Sequence, residues 1–516
     1  MTATTFDRCL SARAREQPDA VALFDETQTV TYGELDAKTH ALAERLAASG
    51  VVAATRVALI ADNSVRHAIA AFAVWRAGGT LVTVYPSSTE SELRHALSAA
   101  TPSVVIAATR VMSTVLEALE GLPATAHELR DDGEVDGLTE HRKPLADDAV
   151  VPAGLALICY TSGSTARPKA VMHTHAGLCA AAVAYAQVWH LGADDVALVV
   201  LPLAWAFGLV TTTMATLSAG GRVLLLPRSN PQEMLVNMAR HRVTFFAGVT
   251  TMFVKMVHAL ESDAMWSRPD HLRLCISGGE PRNEIVFARW REIVGCPVHD
   301  VYAASECFPV VTYDPFADPV PRPGCAGRVV PGARLRLVDA AGRDVEPGAP
   351  GEAWTRGPAT TSGYWGDPDL TAATLTPDGW YRTGDLVEVD TEGYVHVLGR
   401  LTDVIIRGGA NVSPAEVEAV LVGHAGVQQA VVVGTADPEY GESVVAVLVL
   451  EPESTLDEPG LREHCAGVLA GYKVPSRFIA VAELPRNSNT GKIDRRGVSA
   501  LLADRLAHRL AEGGTT

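Results

Sequence analysis

Short apolar runs rich in valine and isoleucine alternate with stretches of helical period through the first 300 residues. Arg56-Val57-Ala58-Leu59-Ile60 and Ser103-Val104-Val105-Ile106 are such runs, and strands apolar on both faces belong to parallel sheets covered by helices. Between Asn63 and Gly78 the pattern becomes helical: Asn63 or Ser64 caps the start, Val65, Ile69 and Phe72 share a face, and Gly78-Gly79 ends it. Val196 to Gly221 carries no charged residue and is long enough for a membrane span. Pro202 and Gly208 interrupt it and Thr211 to Thr213 are polar, so it reads as a buried strand, a loop and a buried helix. From Ala333 to Arg356, short alternating strands with turns at Ala341-Gly342 and Pro347-Gly348 predict a small β-rich subdomain. Residues 131 to 150 read as an exposed connection. After Arg400, the strand-like Val404-Ile405-Ile406 leads through Gly408-Gly409 to a helix capped by Ser413 with Pro414 in its first turn. The fold class is therefore α/β. A large N-terminal domain of helix-covered sheets with a small β subdomain spans residues 1–400, and a small α/β domain spans 401–516, with a tail that frays from Leu506.

Composition narrows the function classes. A chain of 516 residues with 47% hydrophobic content holds more apolar material than one core organises. A formal charge of −17 argues against nucleic-acid partners and anionic membrane surfaces, which recruit clustered Lys and Arg. Eight cysteines with no C-x-x-C pair suggest neither a zinc site nor a disulfide framework. The first ten residues lack the apolar stretch of a secretory signal, and the expected compartment is cytoplasmic.

Candidate chemistry is concentrated in residues 160–169, Tyr160-Thr161-Ser162-Gly163-Ser164-Thr165-Ala166-Arg167-Pro168-Lys169. Four hydroxyl side chains and the N–H groups of a small-residue loop can converge on phosphate oxygens, and Lys169 adds a positive charge. The Gly-Lys-Ser/Thr ending of a P-loop is missing, and a plain Ser/Thr-rich turn has the same composition. Company decides between them: Tyr302-Ala303-Ala304-Ser305-Glu306, Tyr381-Arg382-Thr383-Gly384-Asp385, Gly399-Arg400 and Asn489-Thr490-Gly491-Lys492 follow in order. With Thr31-Tyr32-Gly33-Glu34-Leu35 near the start, this ordered set resembles the adenylate-forming superfamily of acyl-CoA synthetases, peptide-synthetase adenylation domains and beetle luciferases. The pattern is most similar to stand-alone acyl- or aryl-CoA ligases.

The resemblance implies activation of a carboxylic acid as its acyl-AMP with release of pyrophosphate, then transfer to a thiol. The barrier to such chemistry is electrostatic, because a carboxylate anion must approach the α-phosphorus of ATP. Lys492 is implied as the cation bridging carboxylate and α-phosphate, Lys169 as the one on the outer phosphates, and Glu306 as the ligand of a magnesium ion. The ATP site is implied at Thr161, Ser162, Gly163, Ser164, Thr165 and Lys169, with Gly279, Glu280 and Pro281 along the adenine. Tyr302 would stack on adenine, Ser305 touch phosphate, Asp385 accept from both ribose hydroxyls, and Arg400 reach ribose and phosphates. The superfamily rotates its small domain between half-reactions, so residues 401–516 are expected to be mobile, with Gly408 and Gly409 in the loop offered to the incoming thiol.

The acid pocket implied by the same resemblance contains Trp205, Phe207, Gly208, Val249, Gly278, Cys307, Phe308 and Pro309. Ala204-Trp205-Ala206 holds no aspartate where amino-acid-activating domains pair the ammonium group, so an apolar or aromatic acid is expected. No carrier segment is fused to the chain, and the acceptor is expected to be CoA or the phosphopantetheine arm of a separate carrier protein. Other nucleophiles, an unusual oxyacid, and a catalytically silent nucleotide-binding relative stay open. Expected partners are thus ATP, Mg²⁺, a small carboxylic acid and CoA, with the chain a monomer or homodimer. Ala166, Ala170 and Ala303 replace the usual glycines, and Thr402 replaces the usual hinge Asp or Lys; these bear on loop mobility and the second half-reaction.

Overall fold

The computed structural model describes residues 5–138, 153–161, 168–262, 268–452, 454–486 and 493–502. Two large sheets organise the N-terminal part. One runs, edge to edge, through Thr125–Leu129, Val104–Ala108, Arg56–Ile60, Thr80–Thr83, Leu155–Tyr160 and Ala170–Thr174, parallel except for the last pair. The other has a parallel centre of Arg222–Leu225, Val196–Val199, Phe245–Gly248, Leu274–Gly278 and Val298–Ala304, continued by antiparallel Cys307–Thr312. A continuous hydrophobic cluster joins the sheets, from Val57, Leu81 and Leu157 in the first to Ala197, Phe245 and Ile276 in the second. The parallel arrangement expected from two-faced apolar strands is found, as is the helix Val65–Arg76, where Ser64 Oγ accepts from His67 N–H at 3.3 Å.

The uncharged stretch after Asp195 divides as its breakers predict: strand Val196–Val199, a connection through Pro202, then helix. Its first eight helical residues, Phe207–Met214, are wound as a π-helix. Thr212 and Thr213 hydroxyls donate to Phe207 O at 3.0 Å and Gly208 O at 2.8 Å, satisfying carbonyls that the wider winding displaces. No described helix is long and apolar enough to cross a membrane.

The β-rich unit is larger than the alternation from Ala333 to Arg356 indicates. Arg334–Val338 and Gly351–Arg356 are joined in an antiparallel sheet by Tyr381–Val389 and Val395–Arg400. Thr383, Gly384 and Asp385 interrupt the apolar pattern of the third strand, so it reads as a motif rather than as a strand. Beyond it, Ile405–Arg407 and Ala410–Val412 form a hairpin in which Arg407 faces Ala410. The intervening Gly408 and Gly409 have φ of +59° and +83°, the two positive values that a two-residue turn of this type requires. Ser413 caps helix Pro414–Val422, as its sequence predicts. The strands Val427–Asp437 and Gly441–Leu450 complete a sheet with its own core of Ile405, Val417, Leu421, Val432 and Leu448. Of residues 131–150, those from 139 onward lie outside the described residues, as does the tail from Leu506.

Candidate active site

The strand Val298–Ala304 turns back into Cys307–Thr312, and the slip in register between Tyr302 and Ala304 leaves Ser305 and Glu306 at the turn. Glu306 is 7% exposed, and its Oε1 accepts from the Tyr364 hydroxyl at 2.8 Å while its backbone oxygen accepts from Thr361 N–H at 2.6 Å. The carboxylate is thereby held at the wall of a cavity of about 550 Å³. Lys169 shares that wall, its Nζ 5.7 Å from the centre of the Tyr364 ring. Lys169 also closes the Ser/Thr loop: its carbonyl accepts from Thr161 N–H at 3.0 Å, and its own N–H donates to Thr161 Oγ1 at 3.4 Å. Loop residues 162–167, including Ser162, Gly163, Ser164 and Thr165, lie outside the described residues.

A second charged cluster adjoins the first. Asp385 and Arg400 face each other across antiparallel strands, Arg400 Nε lying 2.7 Å from Asp385 Oδ1. The Tyr302 hydroxyl donates to the other oxygen, Oδ2, at 2.7 Å. Burial pushes the Asp385 carboxyl above its ordinary range, while Arg400 and then Tyr302 oppose the shift by favouring the anion. Each carboxylate oxygen keeps a further lone pair, so the acid can still accept from a diol. Ser305 is fixed through its backbone: buried His173 donates from Nε2 to Ser305 O at 2.7 Å. Desolvation lowers that imidazole to about 4, which keeps it neutral at physiological pH.

Gly279, at φ +78°, lines the cavity, but its neighbours turn to structural partners. Glu280 accepts from Thr251 N–H at 2.8 Å, and Pro281 O accepts from Thr250 Oγ1 at 2.8 Å. Arg486, from the C-terminal part, donates to Thr251 Oγ1 at 3.1 Å and lies 4.0 Å from Glu280. Arg486 also pairs with Ile493 in an antiparallel bridge. Lys492 belongs to the segment between them and lies outside the described residues.

Of the expected acid-pocket residues, Trp205, Phe207 and Phe308 line the cavity. Their rings give it an apolar side, with Trp205 and Phe207 edge to face at 5.4 Å. Gly278 stands behind that wall, where a Cβ would come within 2.5 Å of Val301 Cγ1 and 3.2 Å of Phe207. Gly208 packs equally closely on Pro202 O, where a Cβ would fall at 2.5 Å. Val249, Cys307 and Pro309 are buried without forming part of the lining, and the Cys307 thiol meets Thr360 Oγ1 at 3.4 Å. Gly408 and Gly409 sit in their hairpin, also outside the lining. Tyr364, His173, Tyr185 and Thr211 carry no local signal of a site: His173 and Tyr185 lie in runs that read as core, Thr211 in a buried helix, and Tyr364 in a Gly-containing connection.

A cavity with hydroxyls and a lysine at one side, the arginine of an Asp–Arg–Tyr cluster in its wall and an aromatic slot is the site of an adenylate-forming enzyme. Residues 10–365 match the family described as AMP-binding enzyme, and residues 416–492 match the AMP-binding enzyme C-terminal domain. The chain is 35% identical over 490 residues to a feruloyl-CoA synthase of Amycolatopsis sp, covering 93% of this chain and 96% of the relative. Among solved structures it resembles ATP-bound MatB from Rhodopseudomonas palustris, with a TM-score of 0.85, 29% identity, and coverage of 95% and 98%. It is similar as well to the amide bond synthetase McbA from Marinactinospora thermotolerans, with a TM-score of 0.85, 28% identity, and coverage of 96% and 99%. The chain belongs to the AMP-binding enzyme family.

Proposed function

We propose that this enzyme activates an uncharged apolar or aromatic carboxylic acid as its acyl-AMP, releasing pyrophosphate, and then transfers the acyl group to the thiol of CoA. The observation that carries this reading is one cavity walled at one side by Lys169, Ser305, Glu306 and Arg400 and at the other by Trp205, Phe207 and Phe308. Glu306 would hold the magnesium ion, since one carboxylate plus phosphate oxygens is the usual set for that cation, which neutralises phosphate charge when bound. Asp385 would take the ribose hydroxyls with Arg400 beside it, Tyr302 would lie against adenine, and Lys492 would meet the reacting carboxylate. ATP/pyrophosphate exchange with a panel of acids tests the first half-reaction, and dependence of AMP release on added CoA tests the second. Exchange with no acid of the panel would defeat the reading. Likeness to an amide bond synthetase favours one alternative, transfer to an amine; amide formation without CoA and no thioester with it would select that alternative. A carrier-protein thiol is the other acceptor to assay, and a cytoplasmic location is part of the same reading.

The acid is expected to lack an α-ammonium group. Ala204 and Ala206 flank Trp205 without a carboxylate, and Glu306 is the residue that would hold the magnesium ion. Burying an unpaired charge costs several kcal/mol, so an aryl-propanoic acid should outperform its α-amino analogue by at least about 100-fold in kcat/KM for exchange. Equal turnover of the two would mean that the ammonium finds a partner, and would turn the assignment toward amino acids.

We further propose two units with a boundary after Arg400. The core built on Ile405 and Val417 draws all its residues from Ile405 onward, and the exposed Leu401 and Thr402 connect the sheets. Limited proteolysis should cut between Arg400 and Asn411 and leave two stable fragments; progressive digestion with no boundary there would contradict it.

A further inference from the structure

We infer that the far end of the acid cavity reads a hydroxyl group on the substrate through Tyr185 and Thr211, making the acid a hydroxyaryl carboxylic acid. The inference rests on the acid activation proposed above and specifies its substrate class. Tyr185 comes from the helix His175–Val188 and Thr211 from the π-helix Phe207–Met214, and both line the cavity although they are only 1% and 4% exposed. The same cavity is lined by the rings of Trp205, Phe207 and Phe308.

The threonines of this region divide by the direction of their hydroxyls. Thr212, Thr213 and Thr216 donate to helix carbonyls at 3.0, 2.8 and 2.8 Å, the usual local solution for a buried hydroxyl. Thr211 makes no such bond to a helix carbonyl among the described residues, and it lines the cavity together with Tyr185. Two hydroxyls in one cavity lining offer donors and several lone pairs between them, and buried polar capacity of that kind is costly unless a partner takes it up. The Tyr185 ring is held in place by Trp189, 4.7 Å away between centroids, whose indole N–H donates to Thr312 Oγ1 at 3.2 Å. Burial raises the Tyr185 pKa above its ordinary value, so the group stays a neutral O–H.

The same end is unsuited to other polar substituents. The basic residues lining the cavity are Lys169, Arg382 and Arg400; Lys169 stands at Tyr364 and Arg400 at Asp385, and neither the Tyr185 helix nor the Thr211 helix contributes a basic residue to the lining. A distal carboxylate would be buried against hydroxyls and aromatic rings with no counter-charge from Ala204, Trp205, Ala206, Phe207 or Phe308. A distal hydroxyl both donates and accepts, and matches the pair without ionisation.

The test is pyrophosphate exchange with 3-arylpropenoic acids bearing a 4-hydroxyl, a 4-methyl or no substituent, on the wild type, Tyr185→Phe and Thr211→Val. The wild type should favour the 4-hydroxy acid over the near-isosteric 4-methyl acid by about 10- to 100-fold in kcat/KM. Both variants should lose most of that preference while keeping the KM for ATP and the kcat/KM for the 4-methyl acid. Equal use of the 4-hydroxy and 4-methyl acids by the wild type, or a uniform loss on all three acids in both variants, would overturn the hydroxyl assignment and leave acid activation standing. Failure of exchange with these acids and with every other acid of the wider panel would overturn the activation reading as well.

Discussion

Replacing Lys492 by alanine is expected to lower pyrophosphate exchange by about 10²- to 10³-fold while leaving ATP binding nearly intact, the loss that follows removal of one preorganised cation or donor from a transition state. The charge that develops in this reaction is shared between the attacking carboxylate and the α-phosphate, and a lysine between them acts on that charge more than on bound ATP. The start of the segment that carries the lysine supports this placement. Arg486 and Ile493 pair across its base, and Arg486 reaches Thr251 and Glu280, next to the cavity-lining Gly279. The variant should still convert preformed acyl-adenylate and CoA to product at a rate much nearer that of the wild type, since the lysine serves the first half-reaction. Exchange at the wild-type rate, measured with the best acid of the panel, would place the reacting carboxylate away from Lys492. Equilibrium nucleotide titration of the same variant separates lost chemistry from lost binding.

Asp385→Ala should act in the opposite sense, raising the KM for ATP by about tenfold or more with a smaller change in kcat. The ribose hydroxyls it would hold are bound alike in the ground and transition states, and loss of uniform binding appears in KM. The structure adds a second consequence, because removing the carboxylate leaves Arg400 without its 2.7 Å partner and Tyr302 without its acceptor. An unpaired buried hydroxyl and a displaced arginine each weaken the same nucleotide face, so the effect should exceed that of a single hydrogen bond. Asp385→Asn keeps the shape and one acceptor oxygen and should recover part of the loss. An unchanged KM for ATP in Asp385→Ala would remove the ribose assignment and leave the Asp385–Arg400 pair a support of the sheet alone.

What the sequence determined by itself is the part written in local pattern. Strands such as Arg56–Ile60 are apolar on both faces, helix Val65–Arg76 has its cap and its periodicity, and Ser413 and Pro414 open the helix Pro414–Val422. The ordered motifs around Lys169, Glu306, Asp385 and Arg400 were legible for a related reason: each concentrates hydroxyl, carboxylate or basic groups within a few residues, where an ordinary core offers no use for them. Tertiary structure alone decided which side chains face one another. Tyr364 lies 58 residues from Glu306 and Tyr302 lies 83 from Asp385, yet hydrogen bonds join both pairs. Tyr185 and Thr211 read as core until two helices bring their hydroxyls to one cavity wall. Val249, Cys307 and Pro309 share segments with lining residues but stand outside the lining. Local sequence controls backbone conformation and the alternation of faces, whereas the partner of a buried polar group is set by how sheets and helices pack, a long-range outcome that no run of neighbouring residues encodes.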